Sequence, residues 1–163
     1  MIKRIITTIL AAAVIASVAV ALPQQRAAAV VGGTTIVTAA GAGVFPAGAS
    51  FNGIELAGGT FGVGINSTST GTANGDLEVQ LNGNSLIGLS QWITISGWIT
   101  QATLNADGTI TLNGTGTLDM GDGTAPTGGL ALIANVGLSG IQVTIGGTAV
   151  PMLPKSDGWI NIE

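Results

Sequence analysis

The sequence predicts an all-β fold: an antiparallel β-sandwich or small barrel of about eight or nine strands, preceded by an N-terminal signal helix. Two observations carry this prediction. From Phe51 onward, apolar and polar residues alternate with a period of two, which is typical of strands with one buried face. Asn-Gly and Asp-Gly dipeptides, which favour tight turns, fall between the alternating segments. No stretch after Leu22 has convincing helical spacing.

The N-terminus has the layout of a secretory signal peptide. Lys3 and Arg4 precede an apolar run over residues 5–22, and small-x-small motifs end at Ala21 and Ala29. We therefore expect cleavage after Ala21 or Ala29. An uncleaved membrane anchor is the alternative, although the run is near the lower length limit for a spanning helix. Both interpretations place the rest of the chain outside the cytoplasm, so we expect a secreted or extracytoplasmic protein.

The segment that follows is rich in alanine and glycine and contains no acidic residue. This composition favours a lead-in or linker, although residues 34–38 could form a first strand. We therefore predict a signal peptide over residues 1–29, a lead-in or linker over 30–50, and a single all-β domain over 51–163.

The alternating segments and the turn dipeptides together give nine expected strands. They are centred on residues 51–56, 59–66, 76–82, 91–97, 98–105, 109–119, 129–136, 140–146 and 158–162. Asn74-Gly75, Asn82-Gly83, Asp107-Gly108 and Asp122-Gly123 are the expected turns. Glycines inside the strands, such as Gly62, Gly64, Gly114 and Gly116, indicate bends or close backbone approach.

The charge balance excludes several classes of partner. The chain has four basic and eight acidic residues, a net charge of −4. Cleavage after Ala29 leaves Lys155 as the one remaining basic residue, and the net charge of the side chains becomes 1 − 8 = −7. A chain this acidic has no basic patch that could bind the phosphates of nucleic acids or of anionic lipids. We expect no nucleic-acid partner and no membrane contact beyond the signal segment.

The residue inventory also argues against an enzyme. The chain contains no histidine and no cysteine, which removes most acid–base, nucleophilic and metal-based catalysis at neutral pH, as well as disulfides. We expect a non-enzymatic structural or interaction module at the cell surface or outside the cell. Its partner would be a polysaccharide or a surface protein.

Three tryptophans are the first candidate site. Trp92 and Trp98 share the strand parity of Thr94 and Ser96, and Trp159 shares that of Asn161, so all three are expected on polar faces. Flat indoles on such faces can bind sugar rings, which predicts a carbohydrate-binding module. Partial burial at sheet edges is the competing interpretation. A bulge at Gly97 would also weaken the assignment of Trp98.

Two carboxylates in a glycine-rich turn are the second candidate site. Asp119 and Asp122 could bind Ca²⁺ together with turn carbonyls, which predicts a calcium-dependent adhesion domain. The spacing does not match a full calcium loop, and a hairpin turn alone explains the motif. Ca²⁺ is thus the one cofactor considered, and otherwise we expect none.

Overall fold

The computed structural model describes residues 34–163, and in it one antiparallel sheet curls into a half-barrel. The predicted signal segment, residues 1–29, lies outside the described residues. Between residues 34 and 163 there is no helix long and apolar enough to cross a membrane. The predicted all-β, antiparallel class is confirmed, and a single hydrogen-bonded sheet takes the place of two facing sheets.

Eleven strands make up the described part of the chain. In order they are β1 (Thr35–Val44), β2 (Ser50–Phe51), β3 (Ile54–Ser67), β4 (Thr72–Asn84), β5 (Ser90–Leu104), β6 (Ile110–Asp119), β7 (Thr127–Gly137), β8 (Gly140–Ile145), β9 (Thr148–Ala149), β10 (Leu153–Pro154) and β11 (Asp157–Ile162). Nine of them follow the order β10-β8-β7-β6-β5-β4-β3-β1-β11. The two-residue strands β2 and β9 pair with β3 and β8.

The two ends of this order meet in consecutive stretches of chain. Strand β10 pairs with β8, and β11, two residues later, pairs with β1. Between them the Lys155 N–H donates to the Ser139 carbonyl (2.8 Å), and the Ser156 N–H donates to the Ala42 carbonyl (2.9 Å). One short segment therefore joins the first strand to β8.

Large aliphatic side chains fill the inner face of the sheet. The largest of those that are almost fully buried are Ile65, Leu77, Leu81, Ile93, Ile95, Ile99, Ile110, Leu112, Leu132, Ile141, Ile145 and Leu153. Along most of β4 and β5, buried residues alternate with more exposed ones, as the sequence pattern predicts. Burial of this apolar face supplies the main driving force for folding.

Several strand glycines make room for these side chains. Gly97 and Gly116 are register partners on β5 and β6, and a Cβ on Gly97 would overlap the Leu132 side chain. A Cβ on Gly41 would lie 2.6 Å from Cζ of Phe61. The prediction of close approach is confirmed for Gly114 and Gly116. It is wrong for the outward Gly62 and Gly64, which have only open space or an ordinary contact.

Two pairs of expected strands are single long strands. The expected strands 91–97 and 98–105 form β5, and β3 contains 59–66 together with the second half of 51–56. Gly97 does not interrupt β5, because it stays in register with Leu77 and Gly116. The bulge on the β6 side instead lies between Ile99 and Gln101. The idea of a bulge at Gly97 is therefore wrong.

Two of the four predicted turns are correct. Asp107-Gly108 and Asp122-Gly123 lie in connections between strands, whereas Asn74-Gly75 and Asn82-Gly83 lie inside β4. A Cβ on Gly83 would overlap the Glu55 carbonyl, and one on Gly75 the Gly64 carbonyl. These two glycines therefore allow close packing of β3 on β4 instead of a turn.

The alanine- and glycine-rich segment contributes a strand to the sheet. Residues 35–44 form β1, which is paired along its length with β3 on one side and with β11 on the other. The sheet thus begins at residue 35, sixteen residues before the expected boundary at 51. Small residues suit this strand, since Gly41 and Gly43 lie under Phe61 and against Pro154.

Candidate functional site

All three tryptophans lie on the outer face of the sheet. Trp92 is 64% exposed, Trp98 54% and Trp159 53%. The residues on either side of Trp92 are Gln91 and Ile93, and both are buried. Outward orientation is therefore a consequence of strand parity, as expected from the sequence.

The sheet does not bring the three tryptophans into one platform. Trp92 and Trp98 are six residues apart on β5, which places them about 20 Å apart. Trp159 lies on β11, with β1, β3 and β4 between it and β5 in the strand order. Its register partner is Ala40, far from either of the other indoles. Each tryptophan must therefore be considered by its own surroundings.

Trp92 has the richest surroundings of the three. It lines two neighbouring depressions, one of about 470 Å³ and one of about 160 Å³. Its register partner on β4 is Asn82, which lines both. We call the larger depression the Trp92 groove; its lining residues are Gly43, Val44, Ala57, Gly58, Gly59, Thr60, Gln80, Asn82 and Trp92.

The floor of the Trp92 groove is largely backbone. Gly58, which is buried, and Gly59 line it without side chains, and Gly58 is directly paired with Asn82. The polar groups are the side-chain amides of Asn82 and Gln80 and the hydroxyl of Thr60. A flat indole, two amides and a hydroxyl form an uncharged surface with both donors and acceptors.

A further depression continues the Trp92 groove across β4 and β3. It has a volume of about 310 Å³ and shares Thr60 and Gln80 with the groove. Here the Gln80 Nε2 donates to the Glu78 Oε1 at 2.7 Å. Glu78, Gln80 and Asn82 are alternate residues of β4, so one polar row runs along the groove.

Trp92 is held on a well-anchored part of β5. The Gln91 Nε2 donates to the Met120 carbonyl at 2.6 Å, which ties the β6–β7 connection to β5. Gly121 packs against the Trp92 peptide so closely that a Cβ there would overlap the Trp92 carbonyl. The indole therefore projects from a strand that is constrained on both sides.

The two acidic candidates lie in the β6–β7 connection and at its border. The Asp119 Oδ1 accepts the Gly121 N–H (2.8 Å), and the Asp122 Oδ1 accepts the Thr124 N–H (2.9 Å) and hydroxyl (2.6 Å). The bonds from Thr124 hold the pKa of Asp122 below its usual value. Thr109 lowers the pKa of Asp107 in the same way.

One carboxylate oxygen of Asp119 and one of Asp122 thus already accept hydrogen bonds within the turn. Within residues 34–163, no three acidic, histidine or cysteine side chains are grouped so as to hold a metal ion. Ca²⁺ at Asp119 and Asp122 stays a prediction.

Sequence reasoning found Trp92 but missed the groove beside it. The sequence predicts a turn at Asn82-Gly83, whereas Asn82 is paired with Trp92 across the β4–β5 hairpin. The true connection is residues 85–89, whose apolar composition gives little turn signal. The glycine at position 88, whose φ is 79°, is the residue in this segment that indicates a turn.

Comparisons with known proteins identify no similar protein from which the role of this site could be inferred. No protein-family model matches the chain, and neither the curated proteins nor the solved structures contain a significant match.

Proposed function

We propose that this chain is a non-enzymatic interaction module that works outside the cytoplasm and binds its partner in the Trp92 groove. The observation that carries the proposal is a mostly exposed indole on a constrained strand, between two depressions. Exposed tryptophans are frequent centres of binding sites, because they offer a large rigid apolar surface. The location rests on the signal-like N-terminus of the sequence.

The chemistry of the ionisable groups supports a non-enzymatic role. The chain has no histidine or cysteine. The two carboxyl groups with shifted pKa values, Asp107 and Asp122, are shifted downward. A general acid at neutral pH needs the opposite shift. Neither of these groups lines the Trp92 groove.

Carbohydrate is the ligand class that the groove favours. The indole can pack on the apolar face of a sugar ring, while the amides of Gln80 and Asn82 can bond to hydroxyl groups. The groove contains no charged side chain, and Glu78 borders its extension. A neutral polysaccharide fits this arrangement better than an acidic or a basic ligand.

The test compares two tryptophans of similar exposure. Trp92→Ala removes the indole of the groove, and Trp159→Ala removes an indole that lines no part of it. With intrinsic fluorescence and calorimetry over a panel of cell-wall and plant polysaccharides, we expect Trp92→Ala to weaken binding at least about tenfold. Trp159→Ala should leave the affinity unchanged.

Three outcomes would contradict parts of the proposal. Equal loss in both variants would remove the groove from the binding site. No response to any polysaccharide would reject carbohydrate and leave a protein partner to be sought. Cleavage of a bound glycan would overturn the non-enzymatic assignment.

A further inference from the structure

The connection between β4 and β5 exposes three large aliphatic side chains in succession. Leu86 is 94% exposed, Ile87 80% and Leu89 63%. They lie at the end of a protruding hairpin and line none of the depressions described above. We call residues 86–89 the apolar tip. Clusters of exposed apolar residues on a soluble surface generally mark a contact site.

Hydrogen bonds with Ser85 satisfy three backbone groups of the apolar tip: the N–H groups of Gly88 and Leu89 and the carbonyl of Leu89. The Ser85 N–H donates to the Leu89 carbonyl (2.9 Å), and the Gly88 N–H donates to the Ser85 carbonyl (2.8 Å). The Leu89 N–H donates to the Ser85 Oγ (3.1 Å). Such internal bonding lowers the cost of moving a turn from water into hydrocarbon, where unpaired peptide groups are expensive.

The β4–β5 hairpin carries no charged side chain between Glu78 on β4 and the apolar tip, and the charged residue on the neighbouring strand there is Glu55 of β3, the register partner of Asn84. No charged residue occurs between Glu78 and Asp107. Behind the tip are polar uncharged residues, Asn84 and Ser90, and then the exposed indole of Trp92. Aliphatic groups at the end, amides and hydroxyls next, and a tryptophan behind them reproduce the polarity profile of a membrane interface.

The small area of the apolar tip favours a lipid surface over a protein as its partner. A stable protein interface buries about 800 Å² on each side. Three aliphatic side chains offer on the order of 100 Å² each, well short of that area. Insertion into lipid needs no complementary groove and gains with each side chain that leaves water.

We infer that the apolar tip inserts into the interfacial region of an uncharged, zwitterionic lipid surface, with Trp92 near the headgroups. This inference does not rest on the proposed glycan binding. It replaces the expectation of no membrane contact beyond the signal segment. The argument from charge excluded anionic lipids only, and the tip requires none.

Vesicle binding tests this inference directly. The exported chain, with its N-terminus read by mass spectrometry, is floated with vesicles of phosphatidylcholine alone. We expect Leu86→Ser to lower the partition coefficient about tenfold, and the triple change Leu86→Ser, Ile87→Ser, Leu89→Ser to lower it at least about a hundredfold. Because every variant shares the same N-terminal segment, its contribution cancels in these ratios.

Leu138→Ser is the matched control. Leu138 is 79% exposed in the connection between β7 and β8, in a different part of the sheet. We expect its partition coefficient to equal that of the unsubstituted chain. Raising the salt concentration should not weaken binding, since no charge takes part.

Depth measurement gives a second readout that does not depend on total binding. Trp92 is the single tryptophan in the variant Trp98→Phe, Trp159→Phe, and Trp159 is the single one in Trp92→Phe, Trp98→Phe. Brominated phosphatidylcholine should quench Trp92 and leave Trp159 unaffected.

The inference is overturned if the unsubstituted chain does not float with vesicles, or if Leu138→Ser weakens binding as much as Leu86→Ser. It is also overturned if sedimentation shows self-association that only the triple variant abolishes, which would make the tip a contact between copies. Glycan binding is measured without vesicles, so failure of one proposal is distinguishable from failure of the other.

Discussion

The inner and outer faces of β5 both carry large apolar side chains, but in opposite environments. On the inner face, Ile93, Ile95 and Ile99 are completely buried. On the outer face, Trp92 and Trp98 are more than half exposed, although each is adjacent in sequence to one of these isoleucines. Alternation thus assigns residues to a face, while the surroundings decide whether an apolar residue there contributes to stability or is available for contact with a partner.

The largest effect on stability should follow from creating a cavity beneath the inner face of the sheet. Ile95→Ala leaves a cavity among fully buried neighbours, and we expect it to lower the free energy of unfolding by about 3 kcal/mol. Ser96→Ala, the next residue and on the outer face, should change it by less than about 0.5 kcal/mol. Urea denaturation measures both. Similar losses would mean that the faces are not distinct.

Filling the space above a strand glycine should have the next largest effect. Gly97→Ala forces the Leu132 side chain to move, and we expect a loss of about 1–3 kcal/mol. In the background of Leu132→Ala the same change should cost less, because the Leu132 side-chain atoms are gone and the nearest remaining atom is the Thr115 carbonyl oxygen at 3.3 Å.

Gly62→Ala is the matched control on the outer face of β3. Nothing lies within 4 Å of the added Cβ, so we expect no loss, or a gain of about 0.4–1 kcal/mol from a less flexible unfolded chain. Thermal and urea unfolding of Gly97→Ala, Gly62→Ala and the double variant complete the comparison. A loss at Gly62 equal to that at Gly97 would reject the packing explanation.

A smaller effect is expected from the outer indoles. Trp92→Ala removes a side chain that is already mostly in water, so the loss of stability should stay below about 1 kcal/mol. In single-tryptophan variants, acrylamide should quench Trp92 and Trp98 strongly. A loss comparable to that of Ile95→Ala would make the outer face part of the core.

The smallest effect concerns pH and the β6–β7 connection beside the groove. Because hydrogen bonds from Thr124 lower the pKa of Asp122 in the folded state, they stabilise the fold above the unfolded value of 3.8. This contribution is lost as the pH falls through the folded pKa. Thr124→Val should raise the pKa of Asp122, and its stability deficit should shrink as the pH is lowered through that range.

NMR titration of the Asp122 carboxyl and melting curves against pH measure this effect. Thr115→Val, on the outer face of β6, is the control and should leave the pKa of Asp122 unchanged. An unchanged titration in Thr124→Val would assign the low pKa to another cause.

Alternation was sufficient to predict the fold class, the buried face of most strands and the outward direction of all three tryptophans. Turn prediction failed where the same dipeptide suits either a turn or a closely packed strand. Asn82-Gly83 has the composition of a turn, yet Gly83 is needed inside β4 because the Glu55 carbonyl leaves no space for a Cβ. Conversely, the true turn over residues 85–89 is mostly apolar, and the alternation pattern gives no reason to end a strand there.

The candidate site depends on contacts between residues that are distant in the sequence. Pairing of Asn82 with Trp92 requires the correct hairpin register, and the groove also requires Gly58 and Val44 from two other strands. One sequence contains no direct record of these contacts. The tryptophan could therefore be proposed from composition and parity, but the surface around it could not.

The junction at residues 153–162 has a consequence for the order of folding. Val37 pairs with Ile162, a separation of 162 − 37 = 125 residues, so β1 gains its second neighbour only when β11 has formed. Contacts this distant in sequence carry a large loop-closure cost and are typical of slow-folding β proteins. A chain emerging N-terminus first would thus keep one edge of β1 open until β11 (Asp157–Ile162) had emerged.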